Sequence, residues 1–492
     1  MRKKIKGSVE DLLAVYKAAA ASNDGERCLI SPSPEVREML KRDLARMRNL
    51  ASDNVLSNLL TSKQETRVGF NDGLIMPGNV FPLGTSAMAV RTHASRRSPL
   101  RGAIRVAVVL VDFPDKKITQ TKKHYEELFF SDKSGSVRDY YKEVTGKAVS
   151  IEGQVIGPIT LPRKLREYAN GASGTGSAQP NARTMAEDAA KIAVTKMDFS
   201  KYDNDGNGYV DAFVVIHAGR GAEETASKWD IWSHKWLLPK VFNAGTVNIY
   251  AYLTVPEDCK LGVCAHELGH LLFGFPDLYD TDYSSEGVGD WCLMGGGSWN
   301  GNGNTPAHPC AWCKAQQGWA MVINQVKNED KVKIDPVQKS KTVYRLWKGG
   351  ILSNEYFLVE NREQKNYDKF IPGGGLLIWH IDDSIDGNSN ELHYRVALMQ
   401  ADGNKDLESG NNRGDDGDCY PGVARNKSFT KSSVPNSLSY GNVETGVQVN
   451  NIRKSGATVH ADLYVSAQKA KAAKAVKAAQ TKSAAKKKRL AK

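Results

Sequence analysis

The spacing of apolar residues predicts two different kinds of structure near the start of the chain. Apolar residues return at helical spacing over residues 8–21 and again over residues 34–50. The second helix begins with Ser33 as its cap and Pro34 in its first turn. Residues 104–113, IRVAVVLVDF, are mostly apolar and rich in β-branched residues, which predicts a fully buried strand. A helical N-terminal region therefore precedes a domain that opens on a buried strand.

The pattern changes again beyond residue 338. Helical and strand patterns alternate over residues 101–335, which predicts a mixed α/β domain. Further on, Gly, Asn and Asp turns separate short strands, which read TVYRLW, EYFLVENR, LLIWHID, YRVALMQAD, GVQVNNI and TVHADLYV. This spacing predicts an antiparallel β-sandwich over residues 338–465. The expected fold class is α+β, with a mixed α/β domain and a β-sandwich domain following a helical region over residues 1–100.

The positive charge of the chain is concentrated at its C-terminal end. The 492 residues carry a formal net charge of +12. Residues 466–492 contain ten Lys or Arg and no acid, and removing them leaves +2 for the rest of the chain. Because this segment has almost no residues that form a core, it is expected to be a disordered basic Ala/Lys tail. A solvated tail is one interpretation, and a non-specific arm for nucleic acid or another polyanion is the other.

The strongest chemical motif is HELGH, at residues 266–270. His266 and His270 are four residues apart, so both lie on one face of a helix and can bind the same metal ion. Glu267 follows the first histidine, where a carboxylate can hold and deprotonate a metal-bound water, as in the zinc-hydrolase pattern H-E-x-x-H. The alternative is a surface helix with satisfied histidines. The flanking residues are apolar on most faces, however, which predicts a buried helix whose polar side chains need a partner such as a metal ion.

Two further features follow the HELGH helix. Gly274, two residues before Pro276, is expected to end the helix and allow a sharp turn. Asp277 is then a better candidate for a third metal ligand than Asp280. Downstream, Met294 precedes three glycines in a stretch that must turn tightly. A methionine-bearing turn beneath the metal is typical of metzincin-type zinc peptidases.

Nine ordered segments of this chain resemble the immune inhibitor A family of metallopeptidases, peptidase family M6. They are RVAVVLVDFPD (105–115), SVRDYYKEVTG (136–146), YDNDGNGYVDAFVVIHAG (202–219), DIWSHKW (230–236), HELGHLLFGFPDLYD (266–280), DWCLMGGGSWNG (290–301), PAHPCAWCKAQQGW (306–319), EYFLVENR (355–362) and GGGLLIWHID (373–382). The family pattern is H-E-x-x-H-x-x-G-x-x-D, and this chain has one extra residue before Gly274. The insertion lengthens the helix by about a third of a turn, so it bears on the third ligand, Asp277, and leaves the histidines in place.

The resemblance implies a metzincin-like zinc endopeptidase that acts on proteins or peptides. It also implies that residues 1–100 are a propeptide-like or accessory region. His266, His270 and Asp277 would bind zinc, and Glu267 would take the proton of a zinc-bound water and pass it to the leaving amine. Met294 would support the ligands from below. His234 and His308, in neighbouring motifs, are candidates for oxyanion contact or support of the site, and a purely structural role is the alternative for each.

Two other functions remain open at this point. One is a non-catalytic binding protein on the same fold, which uses its β-domain or contacts polyanions through its basic tail. The other is a metal-dependent amidase that acts on a different class of substrate.

A second candidate metal site lies in the loop DNDGNGYVD. Oxygen-bearing side chains alternate around two glycines, which suits calcium, and the candidate ligands are Asp203, Asp205, Asn207 and Asp211. The EF-hand template is incomplete because Val214 stands where a glutamate is needed, so an outside carboxylate such as Asp198 would have to help. A turn that binds no ion is the alternative. The segment GDDGD, with Asp415, Asp416 and Asp418, is a weaker candidate.

The seven cysteines leave several interpretations open. Cys310 and Cys313 form a C-x-x-C pair, for which two small buried residues, a disulfide or a metal site are the alternatives. Cys259 and Cys264 are a second candidate pair. Cys28 lies in the N-terminal region, and a thiolate there would cap the zinc in a latent form.

The start of the chain bears on its location. No apolar run approaches the roughly 20 residues that a membrane-spanning helix needs. Glu10 and Asp11 fall where the apolar region of a signal peptide would lie, so residues 8–21 are interpreted as an amphipathic helix. The resemblance implies secretion. Export by another route, an incomplete start and a protein that stays inside are the alternatives.

Overall fold

The computed structural model describes residue 11 and residues 28–48, 75–82, 84–86, 89 and 98–466. The helix predicted at 8–21, apart from residue 11, and the basic tail beyond residue 466 lie outside these described residues. The helices are α1 (Pro34–Arg48), α2 (Lys122–Phe130), α3 (Val137–Val144), α4 (Leu165–Ala169), α5 (Ala182–Ala193), α6 (Ala222–Thr225), α7 (Leu261–Phe273), α8 (Ala311–Gln316) and α9 (Val337–Ser340). Short 3-10 segments lie at Gly78–Val80, Phe199–Tyr202, Gly289–Trp291, Gly296–Gly303, Lys348–Gly350 and Asn366–Phe370.

The strands form three sheets. They are β1 (Cys28–Leu29), β2 (Gly102–Asp112), β3 (Val149–Thr160), β4 (Phe213–His217), β5 (His234–Asn243), β6 (Asn248–Pro256), β7 (Met321–Asn324), β8 (Glu329–Ile334), β9 (Thr342–Leu346), β10 (Glu355–Arg362), β11 (Gly375–Asp382), β12 (Val396–Leu398), β13 (Gln448–Ser455) and β14 (Thr458–Tyr464). The described chain is therefore mixed, with helices and several sheets, and is consistent with the α+β class expected from the sequence.

The largest sheet has six strands in the order β1-β5-β6-β4-β2-β3. Strands β3, β2, β4 and β6 run parallel, whereas β5 is antiparallel to β6 and β1 is antiparallel to β5. Every residue of β2 from Val106 to Asp112 is buried. The apolar run at residues 104–113 therefore forms the buried strand that was predicted, because parallel strands are covered on both faces.

Helix α7, which carries HELGH, is buried at every position. It packs against β6, β5 and α3 and against the 3-10 segment Gly296–Gly303. Gly262 permits the last of these contacts, because a Cβ at this position would lie 1.8 Å from the carbonyl oxygen of Ser298. The burial predicted from the flanking residues is thus observed. No helix in the described part of the chain is long and apolar enough to cross a membrane.

Two smaller sheets follow the large one. One has the order β12-β11-β10-β9-β7 and the other the order β13-β14-β8. All their pairs are antiparallel except β7 with β9, which is parallel. Both sheets contribute to one apolar cluster, which includes Phe357 and Ile378 from one and Ile334 and Leu463 from the other. The strand predicted from YRVALMQAD shortens to β12, and β7 and β8 begin before residue 338.

Candidate metal and catalytic site

His266 and His270 lie one turn apart on α7, and their Nε2 atoms are 2.9 Å apart. Both side chains are fully buried. The Nδ1 atom of His266 faces the carbonyl oxygen of Leu293 at 2.9 Å, and that of His270 faces the carbonyl oxygen of Phe275 at 2.5 Å. Each carbonyl oxygen accepts the Nδ1 proton, which leaves both Nε2 lone pairs directed at the same point.

Gly274 ends α7 and returns the chain to the histidines. It adopts φ +65° and its N–H donates to the carbonyl oxygens of Gly269 and His270, a left-handed helix end that glycine favours. The reversed chain places Asp277 Oδ1 3.1 Å from His266 Nε2 and 3.0 Å from His270 Nε2. The extra residue before Gly274 therefore leaves Asp277 within reach of both histidines.

The three donor atoms fit a zinc ion. Ligand atoms about 2.0–2.1 Å from a tetrahedral zinc lie about 3.3 Å apart, close to the observed spacing. Burial lowers the pKa of His270, which keeps its imidazole neutral. Although burial by itself would raise it, the adjacent imidazoles of His270 and His266 hold the pKa of Asp277 well below its usual range. Two neutral imidazoles and one carboxylate are a common ligand set of catalytic zinc.

Glu267 lies beside these ligands without a partner of its own. Its side chain is fully buried, and neither carboxylate oxygen has a hydrogen-bond partner within the described residues. Burial, followed by the negative charge of Asp277, raises the pKa of Glu267 well above its usual range. A buried carboxylate is costly unless it is paired, so this side chain has two free acceptor atoms for a ligand or a water molecule.

Met294 packs beneath the helix between the two histidines. Its Sδ lies 2.9 Å from the position that a Cβ would occupy at Gly269, so a glycine there allows the close approach. The same turn supplies the Leu293 carbonyl group that orients His266. The Leu278 N–H donates to the Met294 carbonyl oxygen at 2.8 Å, and this bond joins the turn to the segment that follows Gly274. Met294 and its neighbours thus contact the helix at Gly269 and orient His266.

Residues 101–322 match the family model of the immune inhibitor A peptidase M6 catalytic domain. This matched region, which is similar to M6 catalytic domains, is called the M6 domain. The chain is 32% identical over 277 residues to an immune inhibitor A from Bacillus thuringiensis subsp. alesti, covering 44% of this chain and 40% of the relative. It is 30% identical over 269 residues to a pre-pro-metalloprotease PrtV from Vibrio cholerae serotype O1 (strain M66-2), covering 43% of this chain and 29% of the relative.

These matches support the resemblance to the M6 metallopeptidases that the sequence motifs indicated. They span well under two thirds of either relative, so the activity of the whole chain is a proposal. Metallopeptidases of this family use a metal, typically zinc. The donor atoms described above all lie within the matched region.

The M6 domain also contains a buried cation that the sequence analysis missed. Lys235, on β5, is fully buried and its Nζ donates to the carbonyl oxygen of His270 at 3.1 Å. Its charge partly offsets the effect of burial on the pKa of Glu267. The sequence does contain a signal for this cation. A lysine stands in HKWLL, the start of β5, where a buried charge needs a partner.

The two other candidate histidines, His234 and His308, have hydrogen-bond partners of their own. His234 Nδ1 faces the Trp232 carbonyl oxygen at 2.6 Å, and its Nε2 faces the Tyr252 hydroxyl at 2.8 Å. His308 Nε2 lies 3.0 Å from a Glu143 carboxylate oxygen, and its Nδ1 accepts from Lys314 Nζ at 3.0 Å. A role for either histidine in oxyanion contact stays a prediction.

Three groups of acidic residues come together elsewhere. Carboxylate oxygens of Asp203, Asp205 and Asp211 lie within 4.8 Å of one another, in the loop predicted to bind calcium. Asn207 lies in the same loop, and its N–H donates to Asp203 Oδ1 at 3.0 Å. Asp198 instead accepts from Ser200. The other two groups are Asp402 with Asp415 and Asp418, and Asp280 with Asp282 and Glu391. Asp280 therefore belongs to a group separate from the histidines.

All seven cysteines are free thiols, and three of them form a buried cluster. Cys310 and Cys313, the C-x-x-C pair, have sulfur atoms 3.8 Å apart. The Cys292 sulfur accepts from the Cys310 N–H at 3.2 Å. Although burial opposes it, hydrogen bonds from the two other thiols lower the pKa of Cys292 well below its usual range. Cys292 was not predicted as the third cysteine of this cluster, because it is 18 residues from Cys310 in the chain.

Proposed function

We propose that this chain is a zinc-dependent endopeptidase in which His266, His270 and Asp277 bind the metal. The observation that supports this proposal most directly is that three buried donor atoms lie within 3.1 Å of one another. They lie beside a carboxylate that has no hydrogen-bond partner within the described residues. When bound, zinc supplies Lewis-acid chemistry, because it polarises a carbonyl group and makes a water molecule more acidic.

Glu267 is the general base in this proposal. Its free carboxylate oxygens accept a proton from the attacking water and later donate it to the nitrogen of the leaving amine. The position of Glu267 suits both steps, because it directly follows His266 on the same buried helix and so stays beside the proposed ligands while the proton moves. The carbonyl groups of Leu293 and Phe275 keep the two imidazoles oriented while the proton moves.

An extended peptide is the substrate that the sheet favours. Strand β5 lies beside α7, and its outer edge pairs with the short antiparallel strand β1. An edge that accepts one extended segment of this chain can accept a substrate strand in the same way, with main-chain hydrogen bonds that do not depend on sequence.

We also propose a metzincin-like domain, a β-sandwich domain and a calcium site. An antiparallel strand beside the HELGH helix and a methionine beneath it support a metzincin-like domain over residues 101–335. An apolar cluster shared by the two small sheets supports a β-sandwich over residues 338–465. Three carboxylates within 4.8 Å around Gly206 and Gly208 support calcium in the loop 203–211.

Substitution of Glu267 by alanine tests the catalytic assignment. Glu267→Ala removes the base and leaves all three metal ligands, so the variant should keep its zinc and lose cleavage of denatured casein. Zinc content is measured by atomic absorption. Casein cleavage by the unsubstituted chain, blocked by a chelator and restored by zinc, is the reference. Casein cleavage that persists in Glu267→Ala would overturn the assignment.

A non-catalytic binding protein on the same fold is the second candidate. A buried carboxylate without a partner disfavours it, because a domain without catalytic work gains nothing from the desolvation cost of Glu267. The contact of residues 466–492 with polyanions is a separate proposal that rests on the charge of the sequence. Equal binding to DNA with and without these residues, across a salt titration, would contradict it.

A further inference from the structure

The N-terminal segment of the described chain lies along the edge of the large sheet. In strand β1, Cys28 stands opposite Lys235 and Leu29 opposite His234. The pairing continues past the strand, because the Ile30 N–H donates to the Ser233 carbonyl oxygen at 3.2 Å. This segment therefore occupies the edge of β5 along which the proposed function places a substrate.

Three aromatic side chains of the M6 domain hold the carbonyl groups of this segment. The Tyr279 hydroxyl donates to the Leu29 carbonyl oxygen at 2.7 Å, and the Trp232 indole donates to that of Ile30 at 2.9 Å. The Trp299 indole donates to the Ser31 carbonyl oxygen at 2.9 Å. The segment is thus bound through its main chain on both sides, as an extended peptide would be.

Helix α1 anchors the segment from its C-terminal side. Arg37 is buried and forms an ion pair with Glu286 at 2.7 Å, and Lys41 pairs with the same carboxylate. Val36 and Leu40, on the same helix, are fully buried in the main apolar core. These contacts fix the position of α1, and through it the position of β1 over the site.

Cys28 points into the candidate metal site. Its sulfur and the donor atoms of His270 and Asp277 all lie within 4.8 Å of one another, and the side chain is buried. A zinc ion with Zn–S of about 2.3 Å and Zn–N of about 2.0–2.1 Å holds sulfur and nitrogen about 3.5 Å apart, so a movement on the order of 1 Å brings Cys28 into coordination. Three protein ligands leave one position of a tetrahedral zinc open, and the Cys28 sulfur lies within 4.8 Å of two of the three ligand atoms, those of His270 and Asp277.

We propose that the Cys28 thiolate is the fourth ligand of the metal and holds the enzyme in a latent state. The inference rests on the proposed function for the identity of the metal site. The S–H bond of Cys28 breaks as the sulfur–metal bond forms, and the proton leaves to solvent, so the step needs no oxidant. In this state the thiolate takes the position that water needs, and β1 takes the sheet edge that a substrate needs. Loss of the thiolate opens the metal position and weakens the hold on β1, and departure of β1 then opens the sheet edge.

Cobalt substitution tests the ligation without reference to activity. The full chain is loaded with Co²⁺ in a Glu267→Ala background, so that it cannot cleave its own N-terminal region. A cobalt–thiolate bond gives a sulfur-to-metal charge-transfer absorption in the near ultraviolet. This absorption should be lost in Cys28→Ser and in the double variant His266→Ala/His270→Ala. It should persist in Cys259→Ser, the matched control, whose thiol lies outside the site.

The control variants exclude the other thiols as the source of the absorption. The cluster of Cys292, Cys310 and Cys313 would give a charge-transfer band that survives both Cys28→Ser and the double histidine variant. A band of undiminished intensity in Cys28→Ser, or no band at all in the protein that retains Cys28, overturns the proposal. Unchanged thermal unfolding of Cys28→Ser verifies that the variant folds.

Casein cleavage by the full chain with Glu267 intact gives the second readout. Cys28→Ser should cleave faster than the unsubstituted chain by about tenfold or more, because the latent state is no longer favoured, while Cys259→Ser should match the unsubstituted chain. If no variant cleaves casein but the cobalt absorption follows Cys28, the peptidase proposal fails and the ligation stands. If Cys28→Ser and the unsubstituted chain cleave casein equally, and the cobalt absorption does not depend on Cys28, the ligation by Cys28 fails and the peptidase proposal stands.

Discussion

At the scale of single residues, the site is defined by buried polar atoms that need one another or a metal. His266, Glu267 and His270 lie on one helix with no exposed surface, and an arrangement of this kind is costly unless a ligand completes it. Asp277 stays ionised through its contact with both imidazoles, whereas burial raises the pKa of Asp280 to about 7. The two aspartates of PDLYD therefore have different chemistry, although they are three positions apart.

This difference yields a prediction about the third ligand. Asp277→Asn should lower zinc affinity by more than the roughly 10–100-fold typical of losing a partner that only orients a ligand, because Asp277 itself would bind the metal. Asp280→Asn is the matched control and should keep its affinity, since its carboxylate accepts from Ser285 in its own loop. Zinc affinity is measured by competition with a chromophoric chelator. Equal losses in the two variants would refute the assignment of Asp277.

At the scale of elements, two units position the site. Helix α7 and its glycine end bring the ligands together, with Gly262 and Gly269 allowing close packing on both sides. The unit of β1 and α1 lies over them and is held by the buried ion pair of Arg37 with Glu286. A buried ion pair is weak evidence for stability, but removing one partner is destabilising because a charge is left behind.

The ion pair therefore controls how firmly β1 is held. Arg37→Met, in the Glu267→Ala background, should weaken the docking of α1 by about 1–3 kcal/mol, because Glu286 would lose its buried partner and keep only the partly exposed Lys41. The amide of Ile30 should then exchange with solvent faster, as measured by hydrogen–deuterium exchange. Glu38→Ala, an exposed change on the same helix, should leave the exchange unchanged. Protection of Ile30 that is the same in both variants would contradict this role.

At the scale of the whole molecule, the strands after residue 338 are joined to the M6 domain by buried charge. Arg362, at the end of β10, is fully buried and pairs with Glu360 and Asp368. Asp368 also accepts from the His308 N–H at 2.9 Å, and Arg362 donates to the Trp291 carbonyl oxygen at 3.4 Å. Both of these partners lie inside the matched region, so β10 helps hold the segment around Met294.

Removal of this buried cation should affect both parts of the chain. Arg362→Ala should destabilise the chain by about 3–5 kcal/mol, because Asp368 and Glu360 would remain buried without their cation. Zinc release and unfolding should occur together at a lower temperature, followed by a zinc-sensitive dye and by tryptophan fluorescence. Arg453→Ala, an exposed change on β13, is the control. Zinc release at an unchanged temperature in Arg362→Ala would show that the two parts are independent.

Local patterns accounted for much of the architecture. The buried run of β2, the capped start of α1 and the bounds of β10 follow from residues that are close in sequence, because helix and strand periodicity are local properties. The parallel pairing of β7 with β9 was missed, since strand partners are chosen by packing that no single segment encodes. The short length of β12 was missed for the same reason.

The sequence by itself determined the four-residue spacing of His266 and His270, the place of Glu267 between them and the glycine that ends their helix. These are consequences of helical geometry and of the conformational freedom of glycine at φ +65°. Only the tertiary structure decided that Asp277 returns to the histidines, that Lys235 lies behind them, and that Cys28 stands beside the same atoms. The largest separation in sequence, from Cys28 to Asp277, is 249 positions. Residues so far apart in the chain are brought together by the packing of the sheet against the helix.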